Sequence, residues 1–259
     1  MMHDTLNLLQ RHMQVVMGLA ARDIKTRYST DFMGGGWALL APAAWIGLLV
    51  IAFDVLGRTL PIHTDPISFI LSGVIPYLVF RSSISAIART RGHYRTLMVL
   101  APVTRAHVGT ALSLIELINA LVLYGLVTGL NWGATGHFEL HSVGQNLAAL
   151  GLAWLFGFSL GSVFEELSRV HVVFGRITPV LLRPFFMISG VFFTANEVPL
   201  NMLGYIDWNP LLHAIELMRE SMFASYRSHV MDVPYLLEVN MALLVLAMLM
   251  RWFGREGRL

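Results

Sequence analysis

Long apolar stretches alternate with short polar connections along this chain. Six stretches approach or reach the roughly 20 residues that a helix needs to cross the hydrocarbon core of a bilayer. They lie at residues 34–53, 67–88, 108–130, 145–164, 177–194 and 235–253. Apolar runs of this length are typical of transmembrane helices. The pattern therefore predicts an all-α integral membrane protein, with one transmembrane domain over residues 1–259 and a six-span bundle at residues 34–253.

The first 33 residues show a different pattern. Between residues 6 and 24, apolar positions recur at steps of three and four, which places them on one face of a helix. The segment carries too many polar side chains, among them Gln10, Arg11 and Arg22, to span a bilayer. We expect an amphipathic helix that lies flat on the cytoplasmic membrane surface. A helix packed against the bundle is the alternative.

The connection between the fifth and sixth spans carries helix signals of its own. Residues 195–206 are hydrophobic but broken by Pro199 and Gly204, and Asn209-Pro210 has the form of an N-cap followed by a first helical residue. These features predict a re-entrant turn after span five and then a short interfacial helix. We expect this outer helix to have an apolar face and a separate polar face, and its candidate functional residues are Asn209, His213, Glu216, Arg219 and Glu220.

Composition and charge agree with this topology. The residues are 56% hydrophobic and 13% charged, and the mean hydropathy is +0.64, so water does not solvate most of the surface. If the N-terminus is cytoplasmic, thirteen of the 18 Lys and Arg residues fall in cytoplasmic segments, whereas only Arg58, Arg219 and Arg227 fall on the other side. Positive residues concentrate in cytoplasmic loops, so we expect both termini in the cytoplasm.

Several chemical functions are excluded or disfavoured by the sequence. The absence of cysteine excludes disulfides and thiol chemistry. Lys25, the only lysine, is not in a phosphate-binding loop, so we expect no bound nucleotide or other cofactor. The hydrolase-like GFSLG at residues 157–161 lies within a predicted span, where its glycines favour close helix packing instead, as do Gly125 and Gly129. No predicted helix carries two His residues four positions apart, since the pair at that spacing, His137 and His141, lies in a connection between spans. Neither a metal site nor a catalytic site is therefore predicted.

Ionisable residues inside the spans suggest a polar route through the bundle. Arg81, Glu116 and Arg183 are costly to place in lipid and indicate a functional site by default, although a structural ion pair is the alternative. Aromatic residues cluster in spans one and five, where they either pack against lipid and neighbouring helices or stack against sugar rings. The candidate translocation path comprises Trp37, Trp45, Phe53, Arg81, Arg183, Phe185, Phe186 and Phe193.

Three patches occur in a recognisable order. They are RDIKTRY at residues 22–28, followed by Gly34, Trp37 and Pro42; GVIPY at residues 73–77; and WNPLLHAIELMRE at residues 208–220. Together with six spans they resemble the type-2 ABC permeases that export capsular polysaccharide, which are related to O-antigen export permeases. The resemblance covers nearly the whole chain.

The resemblance implies a homodimer in a bacterial inner membrane, bound to a separate ATP-binding-cassette subunit that uses ATP and Mg. The implied substrate is a lipid-linked polysaccharide, which moves outward between the protomers. Periplasmic and outer-membrane polysaccharide export proteins would be further partners. The resemblance implies no binding of nucleic acid. The resemblance also implies an ATPase-coupling segment at Thr90, Arg91, Gly92, His93, Tyr94 and Arg95. It implies an interfacial helix that contacts the same subunit through Arg22, Asp23, Lys25, Arg27 and Tyr28.

Other functions remain possible from the residues alone. Export of O-antigen or teichoic acid uses the same kind of permease. An ion-driven secondary transporter would also have broken helices such as those around Pro76 and Pro184, but would show an inverted repeat and membrane carboxylates. An intramembrane enzyme would need a catalytic constellation, which the sequence does not show.

Overall fold

The fold was taken from a computed structural model, which describes residues 13–25, 32–93 and 104–256. Within those ranges the protein contains helices, turns and loops but no strand, which confirms the predicted all-α class. The helices are α1 (13–25), α2 (Phe32–Val55), α3 (Pro66–His93), α4 (Arg105–Thr135), α5 (Val143–Val170), α6 (Val172–Ile188), α7 (Leu200–Leu203), α8 (Pro210–Met222) and α9 (Val233–Glu256). A 3-10 turn at Ala195–Glu197 precedes α7.

Four of these helices, α3, α4, α5 and α9, are long and apolar enough to cross a bilayer. The apolar part of α2, Leu39–Val55, is shorter, and α6 has 17 residues. The predicted fifth span at residues 177–194 is wrong at both ends, because α6 starts at Val172 and stops at Ile188. The chain turns there through Gly190, whose φ of 76° is a left-handed conformation that favours glycine.

The core of the bundle forms around α3, which packs against α4, α5 and α8. Glycine allows α5 to approach it closely: a Cβ atom at Gly157 would lie 2.4 Å from the carbonyl oxygen of Phe80. A Cβ atom at Gly161 would lie 3.0 Å from Cα of Ile84. The close packing predicted for this glycine pair is therefore confirmed. The predicted packing at Gly125 and Gly129 does not occur within the described part of one protomer, where a Cβ atom at either would meet open space.

The amphipathic helix α1 divides its apolar face between two environments. Val16 and Ala20 are buried against α3 and α4 in a small cluster with Ala86, Val108 and Leu112. The neighbouring side chains of Met13 and Met17 stay exposed and are free to contact lipid. One side of α1 is therefore packed on the bundle, as in the alternative considered above, and the other side remains at the surface.

The outer helix α8 is buried along its whole length, which contradicts the predicted interfacial helix with an exposed polar face. All 13 of its residues, Glu216 and Arg219 included, are buried between α3, α5 and α9. Its predicted start is confirmed, since Pro210 is the first helical residue and the Asn209 side chain accepts a hydrogen bond from the backbone N–H of Leu211 at 3.1 Å. Burial of Glu216 and Arg219 is possible because they bind each other and backbone groups of residues 190–195 inside the protein.

Candidate functional site

A groove of about 390 Å³ lies between α3 and α6, with α2 contributing to one wall. It combines two arginines with aromatic and small residues, and its lining consists of Trp45, Tyr77, Arg81, Ile84, Ser85, Ala88, Gly175, Thr178, Pro179, Leu182, Arg183 and Phe186. Four of the eight residues predicted for a translocation path, Trp45, Arg81, Arg183 and Phe186, therefore share one groove.

The sequence of α6 explains why a groove forms here. Thr178 and Leu182 are the buried residues of this helix, so most of its surface is not covered by the rest of the described chain. Pro179 lacks the N–H that would bond to the carbonyl oxygen of Gly175 one turn earlier, and both residues line the groove.

The two groove arginines have no acidic partner among the residues that the structure describes. Arg81 on α3 and Arg183 on α6 are exposed to the groove, and no carboxylate in the described part of the chain pairs with either. An arginine on a membrane helix is costly unless it meets water, a backbone carbonyl or an anion. Two guanidinium groups in one groove therefore form a binding place for anionic groups such as carboxylates or phosphates.

Aromatic rings complete one wall of the groove. The ring of Phe186 lies 5.1 Å from Trp45 and 4.8 Å from Tyr77, measured between centroids. Sequence reasoning missed Tyr77 as a groove residue, although it precedes Arg81 by four positions and so shares its helix face. A cluster of rings beside arginines can contact the apolar faces of sugars while the charges hold acidic groups.

The remaining candidate path residues lie elsewhere. Phe53 is buried beside Phe69 and Phe192. Phe185 packs against Phe80 and the edge of Trp208 instead of lining the groove. Phe193 is half-buried in the turn after α6, and Trp37 is 65% exposed on α2. Whether these four contact a substrate stays a prediction.

A buried ion cluster lies at the outer end of the bundle. Both Arg219 and Glu216 on α8 have side chains with 0% exposure, and their charged groups are 2.9 Å apart. Arg219 also donates hydrogen bonds to the carbonyl oxygens of Gly190 and Phe193, each at 2.6 Å, and its guanidinium lies 4.8 Å from the ring centre of Phe69. Sequence reasoning placed this arginine on a polar face and missed its burial.

Glu216 joins further groups to this cluster. Its second carboxylate oxygen accepts a hydrogen bond from the hydroxyl of Tyr226 at 2.5 Å, and its first accepts one from the backbone N–H of Ala195 at 3.2 Å. Burial, and then the nearby negative charge of Glu216, raise the pKa of the Tyr226 hydroxyl well above its usual value. Tyr226 therefore stays protonated and keeps donating to Glu216.

Other acidic groups of the spans are paired near the predicted cytoplasmic side. Glu116, which the sequence singled out, pairs with Arg89 at 2.7 Å, the structural ion pair considered as the alternative. The buried Glu166 binds Arg169 and, at 2.9 Å, Arg251 of the last helix. The pairs Glu116–Arg89 and Glu166–Arg251 connect helices, and none of these carboxylates serves as a counter-ion for the groove arginines.

The two predicted ATPase contacts fall only partly on described residues. Thr90 is fully buried in α3, and Arg91, Gly92 and His93 form the end of that helix, while Tyr94 and Arg95 lie outside the described residues. On α1, Arg22 and Lys25 are exposed and Asp23 is half-buried, while Arg27 and Tyr28 lie outside the described residues. Both contact regions stay predictions.

The described residues therefore form an all-helical bundle with four apolar spans and a groove lined by arginines and aromatic rings. Residues 14–223, a range that contains the groove and α8, match the family model of the ABC-2 type transporter. The chain therefore belongs to the ABC-2 type transporter family, as the sequence patches indicated.

Curated relatives narrow the comparison within that family. The chain is 30% identical over 228 residues to the polysialic acid transport protein KpsM of Escherichia coli, covering 85% of this chain and 86% of the relative. It is 23% identical over 244 residues to the capsule polysaccharide export inner-membrane protein BexB of Haemophilus influenzae, covering 92% and 89%. A similar protein from Neisseria meningitidis, CtrC, is 23% identical over 253 residues, covering 91% and 89%.

Proposed function

We propose that this chain is the membrane-spanning permease subunit of an ATP-driven exporter that moves a lipid-linked, acidic capsular polysaccharide across the bacterial inner membrane. The relatives carry names of capsule polysaccharide export and polysialic acid transport. The single observation that supports an acidic cargo is the groove in which Arg81 and Arg183 lack a carboxylate partner in the described part of the chain. A polymer with carboxylates or phosphates would supply the missing anions.

The exporter would be a complex of this chain with other subunits. We infer two copies of the permease and two copies of an ATP-binding-cassette subunit, which would bind ATP and Mg. Membership of the ABC-2 type family supports the ATPase partner. The poorly covered surface of α6 supports a groove that the second copy would help to close. Periplasmic and outer-membrane export proteins would receive the polymer.

An export assay tests this proposal directly. Deletion of the gene from its host should leave polymer inside the cell and remove it from the surface, and plasmid-borne wild-type protein should restore export. The Arg81→Gln variant should restore less surface polymer than wild type, whereas Arg58→Gln, a change of an exposed outer arginine, should restore it fully. Unchanged surface polymer in the deletion strain would refute the proposed function. Continued export with a hydrolysis-deficient ATPase partner would favour an ion-driven transporter.

The inferred orientation rests on the excess of positive residues in the cytoplasmic segments. Because the chain has no cysteine, single cysteines can be labelled with a reagent that does not cross membranes. Thr135→Cys and Ser228→Cys should react in intact cells, and His93→Cys and Gly257→Cys only after permeabilisation. Labelling of His93→Cys in intact cells would reverse the assigned orientation.

Coupling to the ATPase can be tested at Tyr94, the one large ring in the segment of residues 89–95. An aromatic anchor in a partner's groove commonly contributes about 2 kcal/mol or more to binding. We expect Tyr94→Ala, which keeps every positive charge, to insert normally but to co-purify poorly with the ATPase or to hydrolyse ATP without export. Normal assembly with normal export would remove Tyr94 from the coupling contact and leave the arginines as topology signals.

A further inference from the structure

The groove depends on α6, yet this helix has little packing along its length. Its buried residues are Thr178 and Leu182, and two internal prolines, Pro179 and Pro184, remove backbone hydrogen bonds that would stiffen it. Phe186 packs against Trp45 and Tyr77, and the outer end of the helix supplies a further anchor for Phe186 and Arg183.

The outer end of α6 is fixed by hydrogen bonds from α8. The carbonyl oxygens of the turn after α6 point inward, where no water is available to them. Arg219 donates to three of them: Gly190 at 2.6 Å, Val191 at 3.3 Å and Phe193 at 2.6 Å. A second link joins Asn209 to the hydroxyl of Ser189 at 2.8 Å. Arg219 therefore ties the turn after α6 to the last turn of α8, and Asn209 ties the C-cap of α6 to the N-cap of α8.

Arg219 is itself held from several directions. Glu216 binds it within α8, and the ring of Phe69 on α3 faces its guanidinium. Gly190 leaves no spare room, since a Cβ atom there would lie 2.7 Å from Cδ1 of Leu212. One planar side chain thus connects the outer ends of α3 and α6 to α8, and a lysine could not reproduce its fork of donors.

We propose that Arg219 is a positioning residue of the transport groove: it locks the outer end of α6 to α8 and α3, and so holds Arg183 and Phe186 facing Arg81 and Tyr77. This inference rests on the proposed export function. It assigns Arg219 no contact with the polymer, because the side chain is fully buried outside the groove. In this arrangement α6 and α8 move as one unit when the groove changes shape.

The test uses the complete complex of permease and ATPase. We expect Arg219→Lys to assemble and to hydrolyse ATP at the wild-type rate, but to export at least tenfold less polymer per ATP. Arg227→Lys is the matched control, since Arg227 is an exposed arginine of the same outer connection. If the wild-type complex exports no polymer, the proposed function fails. If wild type exports and Arg219→Lys exports within twofold of it, the positioning role fails.

Distances between spin labels separate local positioning from a general loss of structure. Labels at Val55→Cys and Met187→Cys, both exposed at the ends of α2 and α6, should give a shifted or broader distance distribution in Arg219→Lys. Labels at Leu130→Cys and Leu147→Cys, on α4 and α5, should give the wild-type distribution. A change in both pairs, or in neither, would overturn the proposal.

A milder variant decides the question if Arg219→Lys does not assemble. Tyr226→Phe removes only the hydroxyl that binds Glu216, and so loosens the cluster without removing a charge. We expect it to assemble, to export two- to fivefold less polymer per ATP, and to broaden the label distances between α2 and α6. Wild-type export and distances in that variant would contradict the proposal.

Discussion

Two regions of the molecule place arginine inside the bundle in opposite ways. At the outer end, Arg219 is fully buried and bound by Glu216 and by backbone carbonyls. In the groove, Arg81 and Arg183 face open space, and no carboxylate in the described residues pairs with them. The first arrangement supplies a counter-ion and acceptors for both terminal nitrogens of Arg219, whereas the second needs a group from outside the described residues.

The difference separates residues that hold the fold from residues that are available to a ligand. Removing one partner of a buried ion pair leaves an uncompensated charge, so the cost appears in stability. Removing a charge that faces a groove leaves nothing unpaired in the protein, so the cost appears in binding of an anion. We therefore expect replacement of the buried arginine to lower stability and replacement of a groove arginine to weaken anion binding.

The largest effect is expected from breaking the outer cluster. Arg219→Met keeps most of the side-chain length but leaves Glu216 charged and buried without its counter-ion. Breaking a buried pair in this way costs about 3–5 kcal/mol. We expect much less folded protein in the membrane and a lower melting temperature of the purified complex, measured by fluorescence-detected size-exclusion chromatography after heating.

The comparison itself supplies the control for this variant. Arg183→Met makes the same chemical change on α6, where no buried partner loses its counter-ion, and we expect its melting temperature to stay close to wild type. Equal losses of stability in Arg219→Met and Arg183→Met would mean that the groove arginine is also structural.

The next effect concerns function without loss of the fold. Arg183→Leu should insert and assemble normally but block most export, because a charge-assisted hydrogen bond to an anionic group contributes about 1.5–3 kcal/mol. A loss of this size corresponds to at least about a tenfold change in binding. Arg176→Leu, on the same helix but outside the groove lining, should export normally. Normal export by Arg183→Leu would make Arg183 peripheral to the path.

Sequence reasoning predicted the bundle, and half of the predicted path residues lie together in one groove. Six apolar runs are a strong signal of helices, because a chain that crosses a membrane has few alternatives to a helix. Arg81 and Arg183 were found because charges in such runs are rare, and the aromatic residues beside them included Trp45 and Phe186. Phe53, by contrast, has the same composition signal but faces the core, and side-chain direction depends on packing that a single run does not encode.

The outer helix was only partly predictable for a related reason. Asn209 and Pro210 fixed the start of α8, since capping is a local interaction. The alternation of polar and apolar residues in α8 looked like a water-facing helix, but the acceptors that allow Arg219 to be buried come from Gly190, Val191 and Phe193. These carbonyls lie more than 25 positions from Arg219 in the chain. The helical periodicity of α8 therefore could not predict them.

The smallest effect is expected from Tyr226→Phe in the outer cluster, and it should depend on pH. Tyr226→Phe loses one hydrogen bond to the charged Glu216, a cost of about 1.5 kcal/mol, well below that expected for Arg219→Met. Because the folded-state pKa of Tyr226 is raised above its unfolded value near 10, this tyrosine stabilises the fold below about pH 10 and loses that contribution as the pH rises further.

We therefore expect the stability difference between wild type and Tyr226→Phe to be constant from about pH 7 to 9 and to shrink towards pH 11. Melting temperatures of both proteins across this range measure it, and other titrating groups cancel in the difference. A difference that grows with pH would mean that the tyrosinate is the favoured form in the fold. Its partner would then be Arg219 rather than Glu216, and the cluster would be built around the cation instead of around the carboxylate.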